Sequence, residues 1–183
     1  PLNVPITFFN FNISNDGLLL VYRDRRAEHL FVRRLDSFET TAITGGPRNS
    51  VVISPDSESI AFLTDGSLYR LSLRGDSSPV RIATAGVNAM HLDWSTSDTL
   101  TFSAREQPLM RVPATGGIPI AVTAVRAPLE VDHHSPRLLP DGNTLLFGIH
   151  RQRNRFAVAV QRLDTGEQKV LIEDAFQPTY LPT

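Results

Sequence analysis

Glu130, Asp132, His133 and His134 place two carboxylates and two imidazoles within five residues, just ahead of Pro136 and the apolar Leu138. His91, shortly before Trp94, occupies the corresponding approach one repeat earlier. Groups of this kind recognise polar ligands through hydrogen bonds, and imidazole makes such recognition titrate near neutral pH. The same groups also serve as scaffold, with Glu130 and His133 bonding backbone groups to hold a long crossover in shape. Scaffold is the favoured reading of that pair, whereas Asp132 and His134 are the residues expected to project into a channel mouth. A metal site is not expected, because adjacent histidines on a strand point to opposite faces and do not converge by themselves. No Gly-x-Ser-x-Gly elbow, phosphate-binding glycine loop or His-Glu-x-x-His pair occurs, and there is no cysteine. The sequence therefore predicts neither an enzyme nor a cofactor site.

The elements that must position these residues come from a repeat. Ile13-Ser14-Asn15-Asp16-Gly17, Ile53-Ser54-Pro55-Asp56-Ser57, the degenerate Trp94-Ser95-Thr96-Ser97-Asp98 and Leu139-Pro140-Asp141-Gly142 each run into a short apolar strand. Asp16, Asp56, Ser97 and Asp141 follow one another at intervals of 40, 41 and 44 residues, the period of a four-stranded propeller blade. Proline presets φ, aspartate bonds its own backbone and glycine accepts positive φ, so these aspartates are turn-formers rather than catalysts. Third strands follow at Val32–Ser37, Leu68–Ser72, Leu109–Pro113 and Val160–Gly166, and fourth strands at Thr41–Thr44, Val80–Ala83, Ile118–Val122 and Lys169–Ile172. The reading is an all-β, antiparallel propeller with repeats over about 10–45, 46–86, 87–125 and 126–175 and a fifth beginning at 176–183. Phe62, Phe102, Phe147, Leu71 and Val112 are expected between blades, with Trp94 filling the wedge there. Val4–Phe9 is a β-prone run of the kind that supplies an outer strand to a last blade. The charged tip Arg23–Glu28 and the alternating Arg151, Arg153 and Arg155 read as solvated hairpin ends.

Ile53-Ser54-Pro55-Asp56 with Ile60-Ala61-Phe62, Pro136-Arg137-Leu138-Leu139-Pro140-Asp141-Gly142 and Val160-Gln161-Arg162-Leu163-Asp164-Thr165-Gly166-Glu167 resemble the WD40-like (PD40) repeats of TolB-type β-propellers. Val112-Pro113-Ala114 followed by Gly116-Gly117 is similar to propellers attached to bacterial membrane-anchored serine/threonine kinases. Those propellers often carry a Glu and a His ahead of a Pro, matched here by Glu130, His133 and Pro136. The resemblance implies a non-catalytic sensor module that binds a protein, peptide or small ligand, in an extracytoplasmic part of a larger bacterial protein. Similar propellers sit on prolyl-oligopeptidase-type peptidases and on winged-helix regulators. An accessory propeller that gates a peptidase, or a plain scaffold, are the competing implications.

Composition fits a β domain with a core: 41% of residues are hydrophobic and 20% charged. The net charge of −1, with acidic residues balancing the arginines, gives no electrostatic footprint for nucleic acid, and no apolar run is long enough to span a bilayer. Leu181-Pro182-Thr183 aligns with Leu139-Pro140-Asp141, so the expectation is an arc of a larger ring whose partners include the remaining blades.

Overall fold

The repeated turn sets the architecture because its hydrogen bonds are satisfied within a few residues. Asp16 accepts the Leu18 N–H at 2.9 Å and the Ser14 hydroxyl. Asp56 accepts the Glu58 N–H at 3.0 Å and the Ser54 hydroxyl. Asp141 takes the N–H groups of Asn143 and Thr144 at 3.0 and 2.8 Å, together with the Thr144 hydroxyl. These bonds hold the three carboxyls below the usual aspartate range. Asp141→Ala is therefore expected to lower stability by about 1 kcal/mol. Urea unfolding followed by the fluorescence of Trp94, the only tryptophan, reads this directly, and an unchanged midpoint would remove the turn's assigned role.

The computed structural model describes residues 11–23, 29–37, 39–44, 50–75, 78–95 and 98–180. The expectations for Val4–Phe9, the 24–28 tip, Gly45–Pro47, Thr96–Ser97 and Leu181–Thr183 lie outside these residues. Four antiparallel four-stranded sheets follow in chain order. The first contains β1 (Phe11–Ile13), β2 (Leu19–Arg23), β3 (His29–Arg34) and β4 (Thr40–Thr44). The second contains β5 (Val51–Ile53), β6 (Ser59–Thr64), β7 (Ser67–Ser72) and β8 (Val80–Thr84). The third contains β9 (Ala89–Trp94), β10 (Thr99–Ala104), β11 (Met110–Pro113) and the short β12 (Ile120–Ala121). The fourth contains β13 (Glu130–Leu138), β14 (Thr144–Arg151), β15 (Arg155–Arg162) and β16 (Gln168–Glu173). Each sheet is a meander, so every connection within it is a hairpin. In the second sheet Thr64 pairs with Ser67 across Asp65-Gly66, whose φ values of 48° and 72° are the left-handed pair that a two-residue hairpin requires.

The sheets pack face to face in sequence order. One apolar layer joins the first and second sheets (Leu19, Val21, Leu30, Ile60, Phe62, Leu71). A second joins the second and third (Leu63, Leu68, Trp94, Leu100, Phe102, Val112). A third joins the third and fourth (Leu109, Leu145, Phe147, Ile149, Ala157). Phe62, Phe102 and Phe147 stand at one repeat position and are at most 2% exposed; each ring contributes about 1.5–3 kcal/mol through burial. Trp94 is buried as expected of a wedge residue, with the Arg70 guanidinium 5.5 Å from its ring centre. The chain is an all-β propeller assembly, and β1, β5, β9 and β13 line its axis.

Polar staples reinforce neighbouring blades at equivalent positions. Asn12 of β1 accepts the Ile53 N–H of β5 at 3.0 Å. Asp93 of β9 accepts the Leu138 N–H of β13 at 2.9 Å and an Arg137 Nη1–H at 2.8 Å. Val52 fills the intervening repeat position and has no side-chain acceptor to offer.

Candidate functional site

The segment read as a long entry loop is a strand from Glu130 onward. Glu130 pairs with Arg151, Asp132 with His150 and His134 with Gly148 before the register shifts at a bulge. Ser135, with φ of 51°, sits in that bulge. Sequence alone places proline-flanked polar residues in a loop; the long β14 supplies the ladder partners that convert them to strand. Alternation separates His133 from Asp132 and His134, and a further register shift between Glu130 and Asp132 turns Glu130 to the His133 side, so the four residues fall into two groups.

Glu130 and His133 join the packing between the third and fourth sheets. His133 is fully buried, 4.8 Å from the Phe147 ring. Its Nε2 lies 3.2 Å from the Glu130 carboxylate and its Nδ1 2.8 Å from the Thr123 hydroxyl, which accepts the Leu109 N–H at 2.9 Å. Glu130 also accepts the Arg126 N–H at 2.8 Å. Burial holds the His133 pKa below the usual imidazole value, with Glu130 opposing. A neutral ring facing a carboxylate must carry its proton on Nε2, leaving Nδ1 to accept from Thr123. Both ring nitrogens of His133 and the Glu130 Oε2 are thus committed to holding the crossover.

Asp132 and His134 lie on the other side of β13, where they meet His91 and a residue not singled out from the sequence, His150. The His134 ring is 5.9 Å from His91, 5.6 Å from Phe156 and 5.3 Å from Phe176. It occupies the space above Gly148, where a Cβ would come within 2.5 Å of its Cε1. His134 Nδ1 is 3.3 Å from the Ser135 hydroxyl, while Nε2 is buried without a partner. Burial, and then the neighbouring His91, push the His134 pKa down to about 4. His91 is lowered in the same way by burial, against the pull of Asp132. Asp132 accepts the Glu106 N–H at 3.3 Å and lies 3.5 Å from His150 Nδ1. Four of the chain's five histidines therefore gather around one end of β13. The signal for His150 was the period-two spacing from Gly148, legible only once the hairpin register is known.

A cavity of about 290 Å³ lies beside this cluster on the axis. Phe11, Ser50, His91, Ser135 and Arg137, on or next to the four innermost strands, line it together with Gln177–Thr179. Of the five residues singled out from sequence, His91 is the one in this lining. The Ser103 hydroxyl, 3.1 Å from His91 Nδ1, is fully buried and accepts the His91 N–H, so the two do not present a nucleophile to a substrate. Among the described residues no three His, Asp or Glu side chains are arranged to hold a metal ion, and no helix is long and apolar enough to cross a membrane. A larger cavity, about 690 Å³, opens at the opposite end between the first two sheets, where Asp16 and Asp56 are already engaged in their turns.

No protein-family profile and no curated protein matches the sequence. Solved structures do match the fold. TolB from Acinetobacter baumannii superposes with a TM-score of 0.73 at 16% identity, over 95% of this chain and 45% of that one. A protein assigned as TolB from Agrobacterium tumefaciens gives 0.72 at 15%, over 93% and 68%. An oligogalacturonate lyase in complex with manganese gives 0.65 at 14%, over 92% and 54%. The chain thus spans about half the length of the first and third of these structures. Identities this low establish architecture alone, and one of the three similar proteins is an enzyme, so the fold does not choose between binding and catalysis. The architecture is a TolB-like β-propeller.

Proposed function

We propose that the chain is a non-catalytic recognition module, an arc of a longer propeller that takes a peptide, protein or small ligand at the mouth of its axial channel. The observation that carries this reading is the gathering of His91, Asp132, His134 and His150 beside an axial cavity of about 290 Å³, with no activated nucleophile among them. In this reading Asp132 and His134 shape the mouth from beneath, while His91 faces the ligand. Coverage of 45% of a similar propeller supports the arc. The resemblance to kinase-attached propellers supports an extracytoplasmic sensor that passes occupancy to a signalling domain.

Selection from a random-peptide display library on the purified protein tests the proposal. Peptides that bind saturably and compete with one another are expected, and Thr179→Trp, which fills the axial cavity from an exposed position, should abolish their binding without lowering the unfolding midpoint. If selection yields no saturable peptide, or if the selected peptides bind Thr179→Trp equally well, the channel is not the recognition site.

A further inference from the structure

The outer rim of the fourth sheet concentrates guanidinium groups that the channel reading does not use. A cavity of about 510 Å³ opens between the turn entering β13 and the tip joining β14 to β15, lined by Arg126, Leu129, Glu130, Arg151, Arg153 and Arg155. The topology brings them together. Glu130 pairs with Arg151, and Arg151 with Arg155, so the start of β13 and the end of its neighbouring hairpin share one end of the sheet. A single 3-10 turn over Gln152–Asn154, with Arg153 at φ of 61°, breaks the strand alternation between Arg151 and Arg155.

Charge on this rim is unbalanced. Arg151 is paired with Glu173 at 2.6 Å and Arg155 with Asp174 at 3.0 Å. Both acids are well exposed, and ion pairs of that kind are worth only about 0–1 kcal/mol, so they exchange readily. Arg126 and Arg153 are exposed and have no acidic partner among the described residues. The one carboxylate in the lining, Glu130, is buried and committed to His133 and the Arg126 N–H. Arginine's planar fork matches carboxylates in two-pronged fashion. Leu129, 71% exposed, adds an apolar contact beside the forks. The whole chain carries a net charge of −1, so this patch is local and gives no extended track for a nucleic-acid backbone.

We propose that this rim binds an acidic peptide segment of a partner protein. Arg126 and Arg153 take neighbouring carboxylates, Arg151 and Arg155 join by exchanging their surface partners, and Leu129 contacts an adjoining aliphatic side chain. The site is separate from the axial cavity and stands whether or not the channel takes a ligand.

Fluorescence anisotropy with a fluorescein-labelled peptide containing Asp-Glu-Asp-Glu-Leu, beside its Asn-Gln-Asn-Gln-Leu counterpart, provides the test. The acidic peptide is expected to bind, with affinity falling as salt rises from about 50 to 300 mM, and the neutral peptide is not. Arg126→Gln combined with Arg153→Gln should weaken binding roughly tenfold or more. Arg162→Gln, a control whose Asp164 pair lies at the other end of the sheet, should leave it unchanged. Equal binding of the neutral peptide, or full affinity in the double variant, overturns the proposal. Equal displacement by an oligothymidylate of the same charge also overturns it, since the patch would then be a general polyanion surface. The substituted positions are solvent-facing, and an unchanged Trp94 emission spectrum confirms that the double variant is folded.

Discussion

Asp93→Ala is expected to lower stability by about 3–4 kcal/mol, several times the effect of the turn variant Asp141→Ala. Asp93 is 2% exposed and joins two blades through both of its oxygens. Truncation leaves the Leu138 N–H without an acceptor, costing about 1–3 kcal/mol. It also leaves the Arg137 guanidinium uncompensated. Breaking a buried ion pair costs about 3–5 kcal/mol, but Arg137 is 43% exposed and water recovers part of that loss. Burial raises the Asp93 pKa while Arg137 and the Leu138 N–H oppose it, so much of the carboxylate's value is realised through these two donors. Asp93→Asn keeps an acceptor for Leu138 and should cost about half as much. Urea titrations monitored by Trp94, the neighbouring residue, report the loss. A cost for Asp93→Ala no larger than that of Asp141→Ala would mean that the third and fourth blades are held by apolar packing alone.

Acidification from pH 6.5 to about 4 is expected to remove roughly 3 kcal/mol of stability through His134. Its folded pKa of about 4 lies below the ordinary imidazole value because the ring is buried against His91, Phe156 and Phe176. A depressed pKa means that the unfolded chain binds the proton more readily, so the contribution is complete above the unfolded value and is lost as pH falls through this window. The slope per fully titrating group is about 1.4 kcal/mol per pH unit. Asp132 opposes the shift, while His150 and His133 reinforce it. His91 and His133, lowered by burial, add slopes of the same sign. The turn carboxylates have lowered pKa values and act at still lower pH, whereas Asp93 has a raised one and acts with the opposite sign. The clean comparison is therefore wild type against His134→Leu, at pH 7, 6, 5 and 4. The variant should lose about one proton's worth of the slope. Parallel curves for the two proteins would show that His134 does not titrate on unfolding, and that its ring is not held in the buried position described.

How far the sequence reached depended on the range of the interactions. The turn chemistry of Ser14–Asp16, Ser54–Asp56 and Asp141–Thr144 is satisfied within five residues, so composition and spacing were enough to read the turn, the blade and the four-sheet plan. Phe62, Phe102 and Phe147 were legible for the same reason, since a fixed offset from a fixed turn gives a fixed face of the sheet. The sequence also determined that Glu130, Asp132, His133, His134 and His91 were the polar residues to examine, and the bonding of Glu130 to His133 follows from their proximity in the chain.

Tertiary structure decided what each of them does. His150 joins Asp132 because β14 pairs with β13 in one particular register, and a hairpin's register cannot be counted from a sequence containing a bulge at Ser135. Arg137 meets Asp93 across 44 residues because blades stack in chain order and bring each innermost strand beside the next, whereas His134 rests on Gly148 through the pairing of β13 with β14 inside the fourth sheet. Arg126 comes to share a cavity with Arg151, Arg153 and Arg155 through the same pairing within the fourth sheet. A repeat dictates its own turns and strands locally, whereas the polar groups that could recognise a partner are assembled from residues of different hairpins and blades, whose meeting is set by packing geometry.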